Sequence, residues 1–211
     1  MTAELASGRP GRGNLLAQEQ IWARLRTESL LERLIITPLL EASQVSGASV
    51  DLRIGFQFVL PRRANLSGIE PLDASAHKKR HKYQERVTLS RGRCLHLHPG
   101  EFILGATLEY IRLPNDLSGY VTSRSSWGRA GLAIATAISV APGFMGVITL
   151  ELANLGSVPL ALHPGVRIAQ LVLHYTEPTT PYSGRYRCPT GPEAGRVDLD
   201  GELRFWAPKH T

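Results

Sequence analysis

The chain has 211 residues, 43% hydrophobic and 20% charged, which is enough for one sizeable core and gives no sign of a second domain. Its 24 Lys and Arg outnumber 18 Asp and Glu for a formal charge of +6, so the expected partner is anionic, either a nucleic acid or a small phosphate ester. Two cysteines far apart, Cys94 and Cys188, exclude a disulfide framework and the paired Cys-x-x-Cys ligands of zinc, and no apolar run reaches the roughly 20 residues of a membrane span. The N-terminus also lacks the apolar stretch of a signal peptide, so a soluble cytoplasmic protein without membrane contact is expected.

Residues 1–14, with Gly8, Arg9, Pro10, Gly11, Arg12 and Gly13, hold almost nothing to bury and are expected to form a flexible arm. From Leu15 to about Leu34, Ala17, Ile21 and Leu25 recur every four residues among Gln, Glu and Arg, which predicts one amphipathic helix. After Pro38 the period shortens to two. Val50, Leu52 and Ile54 alternate with Asp51 and Arg53, and Phe56 and Phe58 continue the stripe, so this segment is a strand. Further strands are expected at Val87–Leu89, Cys94–Leu97, Phe102–Leu108, Gly119–Thr122, Gly146–Leu152, Leu160–Leu162 and Ile168–Tyr175, with Pro-Gly turns at 99–100, 142–143 and 164–165. Many short strands between turns predict a mainly β sandwich or barrel with an N-terminal helix. The polar stretch from Asp73 to Arg86 reads as a solvated loop. Its basic run His77–Lys82 lacks the interleaved aromatics that would stack on nucleic acid. The tail from Thr176 onward, rich in Pro, Gly and Arg, is too polar for a core.

Three segments carry candidate chemistry. In Ser123-Arg124-Ser125-Ser126-Trp127-Gly128-Arg129, arginines bracket small hydroxyls after a predicted strand, which suits either phosphate oxygens or a solvated polar turn. In Val147-Ile148-Thr149-Leu150-Glu151-Leu152, alternation places Ile148, Leu150 and Leu152 on one face and Val147, Thr149 and Glu151 on the other. Glu151 there faces either solvent or a site. The apolar strand after His163-Pro164-Gly165 carries one amide, Gln170, fit to read a base edge or to sit at the surface. Cys94, His96 and His98 share a strand face, but no metal site is expected there.

Six segments then fall in a familiar order: Ser46 to Gly55, His98 to Phe102, Arg124 to Leu132, Pro142 to Phe144, Ile148 to Asn154 and Pro164 to Leu171. In that order the sequence resembles the dCTP deaminases of the dUTPase-like superfamily. The resemblance implies a distorted jelly-roll or β-clip fold over residues 15–175, with a tail, 176–211, that closes over the active site. It also implies a homotrimer with sites between subunits, acting on a nucleoside triphosphate bound with Mg²⁺ and using no zinc. Glu151 falls on the family's catalytic glutamate, with Ser125 and Arg129 nearest the chemistry. Arg124, Ser126, Trp127 and Gly128 fall in the nucleotide-binding segment, Thr136 and Ala137 beside the attacking water, Thr149 and Leu150 at the base pocket, and Gln170, Tyr182 and Arg185 on further nucleotide contacts.

The expected reaction is hydrolytic deamination of dCTP to dUTP and ammonia. Water attacks C4, N3 is protonated, and Glu151 takes a proton and returns it, a role worth roughly 10²–10⁴-fold in such reactions. The chain departs from the family at Ala141, where an aspartate usually meets the deoxyribose 3′-hydroxyl, and at Pro189, where a glutamine is usual. Ala141 therefore opens a second possibility, altered sugar specificity toward a modified or ribo-cytidine nucleotide. A bifunctional enzyme that carries dUTP on to dUMP and diphosphate, and a non-catalytic nucleotide-binding regulator, are the other readings. Phe205 and Trp206 are candidates to pin the tail.

Overall fold

A computed structural model describes residues 14–66, 68–69, 76–135, 139–184 and 186–195. The arm at 1–13, Thr136, Ala137, Arg185 and the Phe205–Trp206 pair lie outside the described residues.

The N-terminal helix, α1, spans Gln18–Arg26 and buries Ile21 completely, with Trp22 and Leu25 packed partly against the core. The Gln20 side chain accepts the Ala17 N–H at 2.9 Å, closing the first turn, and Arg24 and Arg26 meet the negative end of the helix dipole. The helix is shorter than the predicted run to Leu34. Thr27 turns extended, and beyond it Leu30 and Leu31 are exposed, so continuing the helix would bury no further apolar face. Arg24 reaches across to Asp116 with two hydrogen bonds, at 2.9 and 2.5 Å, and docks the helix on the body.

The strands in chain order are β1 Ile35–Thr37, β2 Val45–Ser46, β3 Ser49–Pro61, β4 Gln84–Thr88, β5 Leu95–Leu97 and β6 Phe102–Arg112. They continue with β7 Leu117–Ser123, β8 Leu132–Ile134, β9 Met145–Asn154, β10 Leu160–Leu162 and β11 Arg167–Tyr175, and a one-turn helix, α2, spans Ser125–Arg129 between β7 and β8. The main sheet runs β7-β11-β3-β6-β9-β8, with β1 on β6 and both β2 and β4 on β3, while β5 and β10 form a separate ribbon. Strand β3 is the spine. Its first half pairs with β11 and its second with β6 and β4, and its alternation buries Val50, Leu52, Ile54 and Phe58 completely.

The edges of this sheet meet. Gly119 of β7 and Val140 exchange both backbone hydrogen bonds, at 3.0 and 2.7 Å, so the sheet curls into a nearly closed barrel around one core. The mainly β expectation with an N-terminal helix therefore holds. The expected loop from Asp73 to Arg86 differs in detail: a 3₁₀ turn spans Ala76–Lys82 and β4 begins at Gln84, paired with the end of β3. Among the described residues no helix is long and apolar enough to cross a membrane.

Candidate active site

Strand β9 builds the site by alternation. Leu150 and Leu152 turn into the core, each 0% exposed, and Ile148, 6% exposed, packs there while also bordering a cavity of about 230 Å³ that Val147, Thr149 and Glu151 line. Glu151 is half-buried; its backbone is held on both sides, opposite Leu104 of β6 and through its carbonyl, which accepts the Ala135 N–H at 2.9 Å. Ser139, Val140 and Ala141 complete one wall. The same alternation that delivers Glu151 turns the Leu150 side chain away. That side chain, expected at the base pocket, lies in the barrel core, fully buried and off the cavity lining.

The tail forms the other wall. Tyr182, Tyr186, Pro189 and Glu193 line the cavity, and three hydrogen bonds tie the segment to β9 and to the turn before it. The Tyr182 N–H donates to the Pro142 carbonyl at 3.0 Å, the Val147 N–H to the Pro189 carbonyl at 2.9 Å, and the Glu193 N–H to Thr149 Oγ1 at 3.0 Å. Phe144 and Tyr182 add a ring contact at 6.2 Å. Gly146 makes the close approach possible: its φ is +137°, and a Cβ there would collide with Pro189 Cδ. Tyr186 and Glu193 were not legible as site residues, because a segment rich in Pro and Gly has no period from which to read a buried face.

The nucleotide-binding segment lies elsewhere. None of residues 124–129, nor Gln170, lines the Glu151 cavity. Ser125, Ser126, Gly128 and Arg129 are exposed on and around α2, and Trp127 is half-buried with its Nε1–H donated to the Arg167 carbonyl at 3.0 Å. Arg124 and Gln170 instead converge on Asp51, a carboxylate only 4% exposed. Gln170 Nε2 donates to Asp51 Oδ1 at 3.0 Å, Arg124 Nε stands 3.4 Å from the same oxygen, and Arg167 Nη1 lies 3.5 Å from Oδ2.

A second carboxylate underlies this cluster. Glu109, fully buried, accepts the Arg53 N–H at 2.9 Å and Gln44 Nε2 at 3.1 Å. Burial pushes its pKa above the ordinary value, and these hydrogen bonds with the Arg53 charge pull partly the other way. The single chain thus keeps the two sets of expected site residues apart: Glu151 in the cavity, and the 124–129 segment, largely exposed, away from it. Among the described residues no group of three or more His, Cys, Asp and Glu could hold a metal ion; Cys94 is half-buried and Cys188 exposed.

The chain matches known proteins over most of its length. A family model described as dCTP deaminase-like matches residues 15–176. A dCTP deaminase of Natronomonas pharaonis is 41% identical over 169 residues, 76% of this chain and 84% of that protein. A dUMP-forming dCTP deaminase of Methanobrevibacter smithii is 38% identical over 180 residues, 82% of this chain and 91% of that one. Among solved structures, 2′-deoxycytidine 5′-triphosphate deaminase from Agrobacterium tumefaciens shares the fold, with a TM-score of 0.59 at 23% identity, over 78% of this chain and 49% of that chain. The chain therefore belongs to the dCTP deaminase-like family and has its mainly β fold.

Proposed function

We propose that this protein is a cytoplasmic hydrolase that converts dCTP and water to dUTP and ammonia, with Glu151 as the proton shuttle. One observation carries the reading. In a chain of this family, a glutamate on an otherwise apolar strand projects into a cavity walled by apolar groups and the tail. Glu151 takes one proton from water as its oxygen attacks C4 and passes it to N3, then carries the second, from the new hydroxyl on C4, to the departing amine. Thr149 and Ser139 stand on the same walls as hydrogen-bonding groups for the base, and Tyr182 and Tyr186 close the top.

The phosphates need donors that the cavity of one chain lacks. Arg124, Ser125, Ser126, Arg129 and Gln170 suit them by charge and geometry, and a neighbouring copy would bring them to the cavity, as in a homotrimer with sites between subunits. Arg185 would add charge from the tail, and the triphosphate would enter with Mg²⁺ as its counter-ion. Thr136 and Ala137 would face the attacking water.

Incubation with dCTP, CTP, dUTP and dCMP, with and without Mg²⁺, while ammonia and diphosphate are followed separately, tests the reading. Ammonia from dCTP is expected. Ammonia from CTP in preference to dCTP would mark altered sugar specificity, for which Ala141 leaves room with only a methyl group on the cavity wall. Binding without product from any of them would mark a regulator. A second reading has a specific observation behind it: the Methanobrevibacter smithii relative is dUMP-forming. Diphosphate released together with ammonia would assign that bifunctional activity here.

A further inference from the structure

We propose that Arg24, through its pair with Asp116, is a positioning residue that clamps the root of the tail and so holds the tail closed over the Glu151 cavity. The inference rests on the deaminase reading above and goes beyond it, because it gives the N-terminal helix a part in substrate binding. Arg24 stands in the last turn of α1. Its Nη1 donates to Asp116 Oδ2 at 2.9 Å and its Nη2 to Oδ1 at 2.5 Å, a paired fork that fixes direction as well as distance. The two side chains are 14% and 29% exposed, which limits screening by salt. The guanidinium carbon also lies 6.0 Å from the ring centroid of Tyr175, the last residue of β11. Arg24 thus spans the point where the tail leaves the barrel.

The turn that carries Asp116 joins this point to the cavity wall. The Thr176 N–H donates to the Asp116 carbonyl at 2.9 Å and the Thr179 N–H to the Asn115 carbonyl at 3.2 Å, so the first tail residues hang on the turn. On its other side the Leu113 N–H donates to the Phe144 carbonyl at 2.9 Å. Gly143 is wedged between turn and tail: a Cβ there would lie 2.9 Å from Asn115 Oδ1 and 2.8 Å from Pro181 Cα. Ala141, Phe144 and Tyr182, all fastened to this assembly, line the cavity. The backbone bonds join neutral groups, whereas the Arg24 fork is charge-assisted and roughly twice as strong per bond. Without it, the tail root and the wall from Ala141 to Phe144 are free to swing together. Substrate meets a complete cavity only in the closed fraction of molecules, so its apparent affinity falls in proportion as that fraction falls.

The test measures ammonia release from dCTP by the full-length wild type, Arg24→Met, Asp116→Asn, the double variant and Arg24→Lys, below the melting temperature of each. Either single change should raise KM for dCTP about tenfold with kcat nearly unchanged. The double variant should be no worse than the worse single one, since both remove the same interaction. Arg24→Lys, which keeps the charge but not the fork, should fall between wild type and Arg24→Met. In parallel, trypsin cleavage after the exposed Arg187 of the tail, read by mass, should quicken about tenfold in the single variants. A lower melting temperature with wild-type KM and tail cleavage would show that the pair only docks the helix, and would overturn the proposal. An effect on kcat with KM unchanged, or single effects that multiply in the double variant, would overturn it too. A wild type that releases no ammonia from dCTP would overturn the deaminase reading instead, and tail cleavage would still decide whether Arg24 clamps the tail.

Discussion

Glu151 owes its place to a two-residue period. Val147, Thr149 and Glu151 share one face of β9, and Leu150 and Leu152 of the opposite face are sealed in the core. That much was legible in the sequence, which left open whether the outer face met solvent or a site. In the structure that face borders a cavity whose far wall comes from residues more than thirty positions later. Leu150 stands beside Glu151 in the same motif, and the strand period sends its side chain to the core. Glu151→Gln should lower kcat by roughly 10²–10⁴-fold and leave the dissociation constant for dCTP nearly unchanged, checked by ammonia release and calorimetric binding.

Glu109 was not singled out in the sequence at all, since a glutamate within Phe102–Arg112 looks like any outward-facing strand residue. Its pKa is raised above the ordinary 4.5, chiefly by burial, so the folded state holds the proton more tightly than the unfolded state does. Its contribution therefore favours folding below about pH 4.5 and is lost as pH climbs through the raised value. Glu109→Gln removes the titration. Denaturant midpoints measured against pH should show the wild type losing stability relative to the variant as pH rises from about 4.5, on top of a constant offset. A difference that stays constant across that window would show that Glu109 does not titrate differently in the folded state.

At the scale of elements, the strands were the readable part and their partners were not. Alternation in β3 and β9 and the Pro-Gly turns marked most of the barrel, whereas β1 and β8, three residues each, are too short to show a period. The helix α1 ends where its apolar face runs out, earlier than the spacing alone suggested. The tail is the largest surprise, since its order comes from hydrogen bonds to Pro142, Val147 and Thr149 that no local pattern announces. Gly146 is where this packing is most exposed to mutation. Gly146→Ala would place a Cβ against Pro189 at a φ of +137°, so about 1–3 kcal/mol of stability should be lost. Displacement of the tail should also raise KM for dCTP, read from thermal unfolding and steady-state kinetics. A variant with wild-type stability and KM would mean that the tail does not need this approach to β9.

At the scale of the whole molecule, the proposed function has to join a carboxylate and a set of phosphate donors that one chain keeps apart. The excess of positive charge includes Arg124 and Arg129, exposed or half-exposed near α2, while the carboxylate assigned to proton transfer sits in a cavity those arginines do not line. Their order along the chain was legible; their separation in space was not, because motifs in sequence say nothing about which copy supplies which wall. The account therefore depends on one chain completing the cavity of another. Glu151→Gln and Arg129→Ala chains, each inactive in its own oligomer, can be unfolded together, refolded as a mixture and assayed for ammonia release from dCTP. Shared sites predict that activity returns in the mixture, from interfaces that join an intact Glu151 to an intact Arg129. A mixture as inactive as its two components, with mixed oligomers present, would contradict it.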